Sequence, residues 1–223
     1  MTRMSLLTLL FLSGAAAADP AQYSFGVGAG TTGFDLTGSW SILDNVNLRA
    51  TLSDFNYNHN GNFGSGVQYQ GKFKLFQAGL LADYFPFDSE FRFSAGLVLV
   101  NTKLNLNGNP DGTGSYTFNG NTYTSGQVGT ATGQAKWDKP GLYLGLGYGN
   151  SLSEKGWSVG GDLGLIYTGK PTTTLSAACG SSLSAAQCQQ LQSDVAADQA
   201  TVQNDVNKYK IWPVGRISVN YGF

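Results

Sequence analysis

Charge is scarce in this sequence. Lys, Arg, Asp and Glu make up 12% of its residues, about half of the ~25% usual in soluble domains. Histidine occurs once, as His59 in "YNHNGN", and cysteine twice. No Cys/His cluster, phosphate-cradling glycine loop or nucleophile elbow can be assembled from what remains, so no catalytic residue, cofactor or metal is expected. A lone histidine in an Asn- and Gly-rich stretch reads as a solvated loop residue. An excess of positive charge is missing as well. The 13 Lys and Arg face 14 Asp and Glu, and setting Arg3 aside with the leader described next leaves 12 against 14, which gives no footprint for nucleic acid. Beyond the first 18 residues there is also no run of 18 or more apolar residues, which excludes a membrane-spanning helix.

The apolar run that does exist stands at the start. Residues 1–18, "MTRMSLLTLLFLSGAAAA", combine a basic start at Arg3, an apolar stretch from Met4 to Leu12 and an alanine tract suited to A-x-A cleavage, the pattern of a secretory signal peptide. Residues 19–223 are then the mature domain. They are rich in glycine (31 in the whole chain) and in aromatics (13%). An exported chain with little charge, much glycine and no spanning helix fits an all-β outer-membrane barrel, in which alternation gives each strand one lipid-soluble face and one polar face.

Eight segments alternate in this way. Tyr23, Phe25, Val27 and Ala29 are interleaved with Ser24, Gly26 and Gly28; Phe34, Leu36, Trp40 and Ile42 with Asp35, Thr37, Ser39 and Ser41. Val46, Leu48, Ala50 and Leu52 face away from Asn47, Arg49, Thr51 and Ser53. The fourth segment, about 67–85, sets Ala78, Leu80, Ala82 and Tyr84 against Gln77, Gly79 and Asp83, but Leu75-Phe76 breaks the parity and predicts a bulge. The other four run through Phe91–Leu99, Leu142–Tyr148, Trp157–Tyr167 and Arg216–Phe223. Their connections sort by length. The even ones, "LDN" at 43–45, "PFDS" at 86–89 and "GNSLSEK" at 149–155, are short. The odd ones include about 58–66, 108–135 and 169–207, as expected where periplasmic turns are tight and extracellular loops grow. The chain therefore reads as an eight-stranded antiparallel transmembrane barrel that joins its last strand to its first. Tyr221 and Phe223 fall at the periplasmic interface, where a terminal aromatic also looks like the signal read by outer-membrane assembly machinery.

Several stretches carry a family resemblance: "GTTGFDLTGSW", "PGLYLGLGYGN", "GWSVGGDLGLIYTGKP" and "NKYKIWPVGRISVNYGF". They resemble the corresponding stretches of the CarO-type outer-membrane barrels. The likeness spans nearly the whole mature chain and is strongest in the last four strands; the loops at 58–66 and 108–135 do not share it. It implies a small barrel of a kind discussed as an uptake channel for ornithine and other small amino acids, and as carbapenem-associated. The shared motifs describe barrel and rim, and none is a substrate-binding signature.

Parity directs three acids, Asp35, Asp83 and Asp162, and three bases, Arg49, Arg92 and Arg216, into the lumen. Eight strands leave an interior that side chains can fill, and charges in so narrow a space must pair. Such a network either fills and fixes the barrel or forms a ladder on which a zwitterion exchanges partners. Two functions follow: a narrow porin-like channel for small hydrophilic solutes, amino acids foremost, or a closed barrel acting through its surface. Lys72, Lys74, Lys103, Lys136, Lys139, Lys170, Lys208 and Lys210 fall near the extracellular strand ends, with only Lys155 on the other side. That asymmetry predicts a basic rim facing lipopolysaccharide phosphates, and it disfavours steering of a cationic solute such as ornithine. In the last loop, Cys179 and Cys188 are expected to form a disulfide in an oxidising compartment. About 182–206 is Ala- and Gln-rich, with Leu191, Val195, Val202 and Val206 at helical spacing, so a helix is expected there, either over the lumen or beside it. Within 108–135, "YTFNGNTYTSG" suggests a projecting strand pair.

Overall fold

The computed structural model describes residues 20–63, 67–86, 89–110 and 114–223. The leader at 1–18 and parts of the connections at 58–66, 86–89 and 108–135 lie outside the described residues. Twelve strands and one helix follow in order: β1 (Tyr23–Gly30), β2 (Gly33–Leu43), β3 (Val46–Phe63), β4 (Val67–Tyr84), β5 (Phe91–Pro110), β6 (Ser115–Phe118), β7 (Asn121–Thr124), β8 (Val128–Trp137), β9 (Pro140–Tyr148), β10 (Gly156–Tyr167), β11 (Thr172–Cys179), α1 (Ala185–Val206) and β12 (Ile211–Gly222).

Eight of these close a ring. Antiparallel pairing runs β1-β2-β3-β4-β5-β9-β10-β12 and returns from β12 to β1, where Val27 lies opposite Val219. The terminal residue is part of that seam: the Phe223 N–H donates to the Tyr23 carbonyl at 2.9 Å, and its own carbonyl accepts from Gln22 N at 3.2 Å. Closure leaves β1 and β12 without a free edge, and alternation runs through the whole of that seam.

The outer surface of the ring is apolar. Phe34, Leu163 and Trp157 are about three-quarters exposed, among many other outward Leu, Val and Ile side chains. Toward the short turns this belt ends in aromatics, including Tyr23, Tyr84, Phe93, Tyr148, Trp157, Tyr221 and Phe223; Trp157 meets Tyr221 edge-on with centroids 5.1 Å apart. No described helix is long and apolar enough to cross a membrane.

The structure departs from the sequence reading in four places, three of them because the sheet does not stop where the apolar belt stops. No bulge interrupts β4 at Leu75-Phe76: β3 and β4 pair without a register shift from Val46↔Tyr84 to Phe63↔Val67. Leu75 keeps inward parity and is fully buried, while Phe76 points out. The nine-residue loop at 58–66 is mostly strand, because polar Asn- and Gly-rich residues continue the ladder in register above the belt. β5 likewise continues to Pro110, pairing with β9 over Phe91–Leu99 and with β8 over Thr102–Gly108. The connections at 108–135 and 169–207 therefore contain β8 and β11, which pair with each other. A five-stranded tongue, β3-β4-β5-β8-β11, rises past the short β1–β2 hairpin.

The upper tongue, with β6, β7 and α1 packed on it, forms a head with a second core. The β6–β7 hairpin turns at Asn119-Gly120, both at positive φ as a two-residue hairpin turn requires. Tyr116, Phe118 and Tyr123 from this hairpin pack with Val128, Ala131, Ala177, Leu191 and Val195. Helix α1 starts at a capping box: Ser184 accepts from Gln187 N, and the Gln187 side chain accepts from Ser184 N. Leu191 and Val195 are buried as the spacing suggested, whereas Val202 is exposed. The helix also covers the outer edge of β11. Gln203 Oε1 accepts from Thr173 N at 2.9 Å, Gln199 Oε1 accepts from Leu175 N at 3.1 Å, and Gln192 Nε2 donates to the Ala177 carbonyl at 2.8 Å. Three glutamines thus satisfy backbone groups that an open edge would present to another chain. Half of the six glutamines of α1 serve this edge, while Gln187 serves the capping box and Gln190 bonds Asp194.

Candidate functional site

The barrel interior is stacked in three layers. At the short-turn end, residues 149–155 fold under the ring. Asn47 Nδ2 donates to Asn150 Oδ1 at 2.9 Å, the Ser24 and Ser151 hydroxyls are 2.7 Å apart, and Leu152, Ala21 and Phe85 are buried.

Above this cap lies a layer of charge that brings all six predicted lumen residues together. Asp162 is its hub. It receives Arg49 through Nη1 at 3.0 Å and Nη2 at 3.1 Å, Arg92 Nη2 at 2.7 Å, and Arg216 through Nη2 at 2.7 Å and Nε at 3.1 Å. Arg49 also reaches Asp83, with Nε 2.7 Å from Oδ2 and Nη2 2.9 Å from Oδ1, and Arg216 Nη1 reaches Asp35 at 3.1 Å. Ser94, which the sequence reading passed over, donates to Asp83 and accepts from Arg49. Arg92 also donates to the Gly149 carbonyl, which ties this layer to the cap below. Three carboxylates balance three guanidinium groups, and the described side chains of all six are at least nine-tenths buried.

Glycine makes the layer possible. A Cβ built on Gly147 would lie 2.6 Å from Arg92 Nε, and one on Gly164 would lie 2.5 Å from the Tyr143 hydroxyl. Inward glycines thus leave room for long side chains of the neighbouring strand to lie over them, Arg92 over its own register partner Gly147 and Tyr143 over β10, which gives one physical use for the chain's high glycine content.

The third layer is apolar. Leu81, Val98, Val100, Trp137, Tyr143, Ile166 and Val214 form a buried cluster, with Trp212 packed edge-on against Trp137 at 5.4 Å. Trp137 Nε1 donates to the Tyr209 carbonyl at 3.0 Å, linking this cluster to the chain leading into β12. Between the charged and apolar layers lies a cavity of about 30 Å³, lined by Arg49, Gln77, Tyr143, Asp162, Ile166 and Arg216 among others. That is room for about two water molecules. Parity alone places Leu81, Val98, Val100 and Ile166 inward, where they share the upper half of the interior with the buried polar residues Ser53, Gln77 and Thr102; a strict polar-in rule fails there because the two kinds are mixed.

The remaining predicted residues lie apart from the lumen. Lys72 and Lys74 project outward from β4, Lys103 from β5 and Lys136 from β8, where Lys136 pairs with Asp138 at 2.6 Å. That partner holds the exposed Asp138 carboxyl below its usual range. Lys139, Lys170, Lys208 and Lys210 sit on connections at the same end, and Lys155 in the turn at the other. Tyr221 and Phe223 stack loosely on the outer surface beside Trp157 and Phe25. Cys179 and Cys188 form a disulfide between β11 and α1. His59 stacks on Tyr57 in the upper part of β3.

One buried acid of the head was missed. Asp194 on α1 accepts from Tyr123 Oη at 2.6 Å, Asn121 Nδ2 at 2.8 Å, Gln190 Nε2 at 3.1 Å and Asn119 Nδ2 at 3.3 Å. The Tyr123 hydrogen bond holds the Asp194 carboxyl below the ordinary range, and the same bond pushes the Tyr123 hydroxyl up to about 12. A single acid in an Ala- and Gln-rich helix carries no sequence signal for such a role, since its partners come from a hairpin about 70 residues away. It locks the hairpin onto the helix.

No family model matches the chain, and no curated protein does. Among solved structures, Acinetobacter baumannii CarO aligns over 91% of this chain and 98% of its own, with 24% identity and a TM-score of 0.56. Acinetobacter baumannii CarO2 aligns over 92% and 99%, with 24% identity and a TM-score of 0.58. The chain thus resembles the CarO-type barrels in fold as well as in the motif stretches.

Proposed function

We propose that this chain is an integral outer-membrane barrel whose lumen is closed to solutes and whose working surface is the head and rim at the long-loop end. The membrane assignment rests on the apolar outer belt with its aromatic border, since only a closed barrel or a helix satisfies its own backbone in lipid, and on the fold shared with CarO. The signal-peptide pattern at 1–18 supplies a route of export, and the terminal Phe223 a signal for assembly.

The observation that carries the closed reading is the stacking of a salt-bridged layer beneath an apolar one. A solute passing the first would have to separate buried ion pairs, and each lost partner leaves an uncompensated buried charge at a cost of ~3–5 kcal/mol. It would then enter a largely apolar cluster, and the space between the layers has room for only about two waters. An uptake path for amino acids, which the CarO resemblance suggests, needs both layers to move. Liposome swelling separates the two readings. Proteoliposomes in glycine, ornithine or a sugar should swell no faster than empty liposomes, and amino-acid-selective swelling would refute the closed lumen.

A further inference from the structure

Strand register places three of the rim lysines side by side. Lys74 on β4 lies directly opposite Lys103 on β5, and Lys103 directly opposite Lys136 on β8. Directly opposed residues project on the same face, here the outward one, with Cβ atoms ~4.5–5.5 Å apart, and like charges so placed repel. The row begins immediately above the apolar belt: two residues below Lys74 is the outward Phe76, and four below Lys103 is the outward Leu99. Asp138, on Lys136, is the sole carboxylate paired with the row among the described residues. Three ammonium groups and one carboxylate leave a net charge of +2 in the row, and on the same face Lys72 stands one step above on β4 and Asp54 one step below on β3, so the surplus remains positive. At the short-turn end Lys155 stands alone.

We propose that Lys74, Lys103 and Lys136 form a binding ridge for the phosphate groups of lipid A in the outer leaflet. This rests on the outer-membrane placement above and is independent of whether the lumen conducts. The acyl chains lie against the belt below while the headgroup phosphates meet the ammonium row, so one lipid satisfies both surfaces. Lipid A is the occupant that fits: an anionic lipid confined to the leaflet at this end, whose phosphates supply the counter-charge that the row lacks. Bound phosphate replaces repulsion across two strand pairs with attraction.

The test uses the full-length folded protein in neutral-lipid nanodiscs, with lipid A binding measured by titration. At about fivefold for each lysine, Lys74→Gln, Lys103→Gln and Lys136→Gln together should weaken binding on the order of 100-fold. A control at the opposite end, Lys155→Gln, should change it by less than about twofold, and dephosphorylated lipid A should bind the parent protein as weakly as intact lipid A binds the triple variant. Retention of the heat-modifiable gel shift verifies that each variant is folded. Unchanged affinity in the ridge variant, equal loss in the control, or tight binding of dephosphorylated lipid A would each overturn the proposal. Solute flux in liposomes would overturn the closed-lumen reading and leave these affinities as they are.

Discussion

Asp162→Asn tests the charge layer at its hub. The carboxylate receives three buried guanidinium groups at 2.7–3.1 Å. Asparagine keeps the shape but removes the charge, and it turns an NH₂ group toward donors. Three buried guanidinium groups then share Asp35 and Asp83 alone. Removing one partner of a buried ion pair costs ~3–5 kcal/mol, against ~0–1 kcal/mol for an exposed pair such as Lys136–Asp138. The assay is urea unfolding from lipid vesicles, followed by the fluorescence of the four tryptophans. With a slope of ~2 kcal/mol/M, the midpoint should fall by about 2 M. Adding Arg92→Met should restore part of the loss, because it leaves Arg49 with Asp83 and Arg216 with Asp35, two pairs in balance. Solute flux should stay at background in both variants, since the apolar layer is untouched. A midpoint equal to that of the parent, or strict additivity of the two substitutions, would refute the hub.

Other outcomes follow from the layers and the head. Ile166→Ala, at a site 2% exposed in the apolar plug, should cost ~2–5 kcal/mol in the same unfolding assay. Gln203→Leu strips the Thr173 N–H and the Pro171 carbonyl of their partners; amide exchange at Thr173 should accelerate while the barrel amides stay protected. Asp194 gives the head a pH dependence. Its folded pKa lies below the unfolded ~3.9, so its contribution is complete above that value and is lost as pH falls through the folded pKa. Near-UV circular dichroism of the Tyr123 region should therefore change below about pH 4 ahead of any loss of barrel structure, and Asp194→Asn should abolish that step.

Much of the ring could be read from alternation, because a face in contact with lipid and a face in contact with the lumen impose opposite chemistries on neighbouring residues. Asp35, Arg49, Asp83, Arg92, Asp162 and Arg216 share one parity, and the structure joins them in one network. What parity could not supply was the height of each residue in the barrel. Leu75 looked like a register break because an apolar side chain at an inward position conflicts with a polar lumen, yet this lumen turns apolar above the charges. The upper strands were hidden for a related reason. Past the belt the covered face of the tongue is lined largely by small residues, Ala131, Gly133 and Ala135 on β8 and Thr173, Leu175 and Ala177 on β11, so an alternation that is present carries little hydrophobic contrast and reads as loop. Asp194 and the edge-capping glutamines depend on contacts between segments far apart in sequence, which local pattern does not encode.

Ion conductance across a planar bilayer addresses the filled lumen most directly. On the closed-lumen proposal, reconstituted full-length protein in concentrated KCl should add no current steps above the bare membrane. Repeated steps of uniform size, scaling with the amount of protein inserted, would mean that the three layers do not seal the barrel.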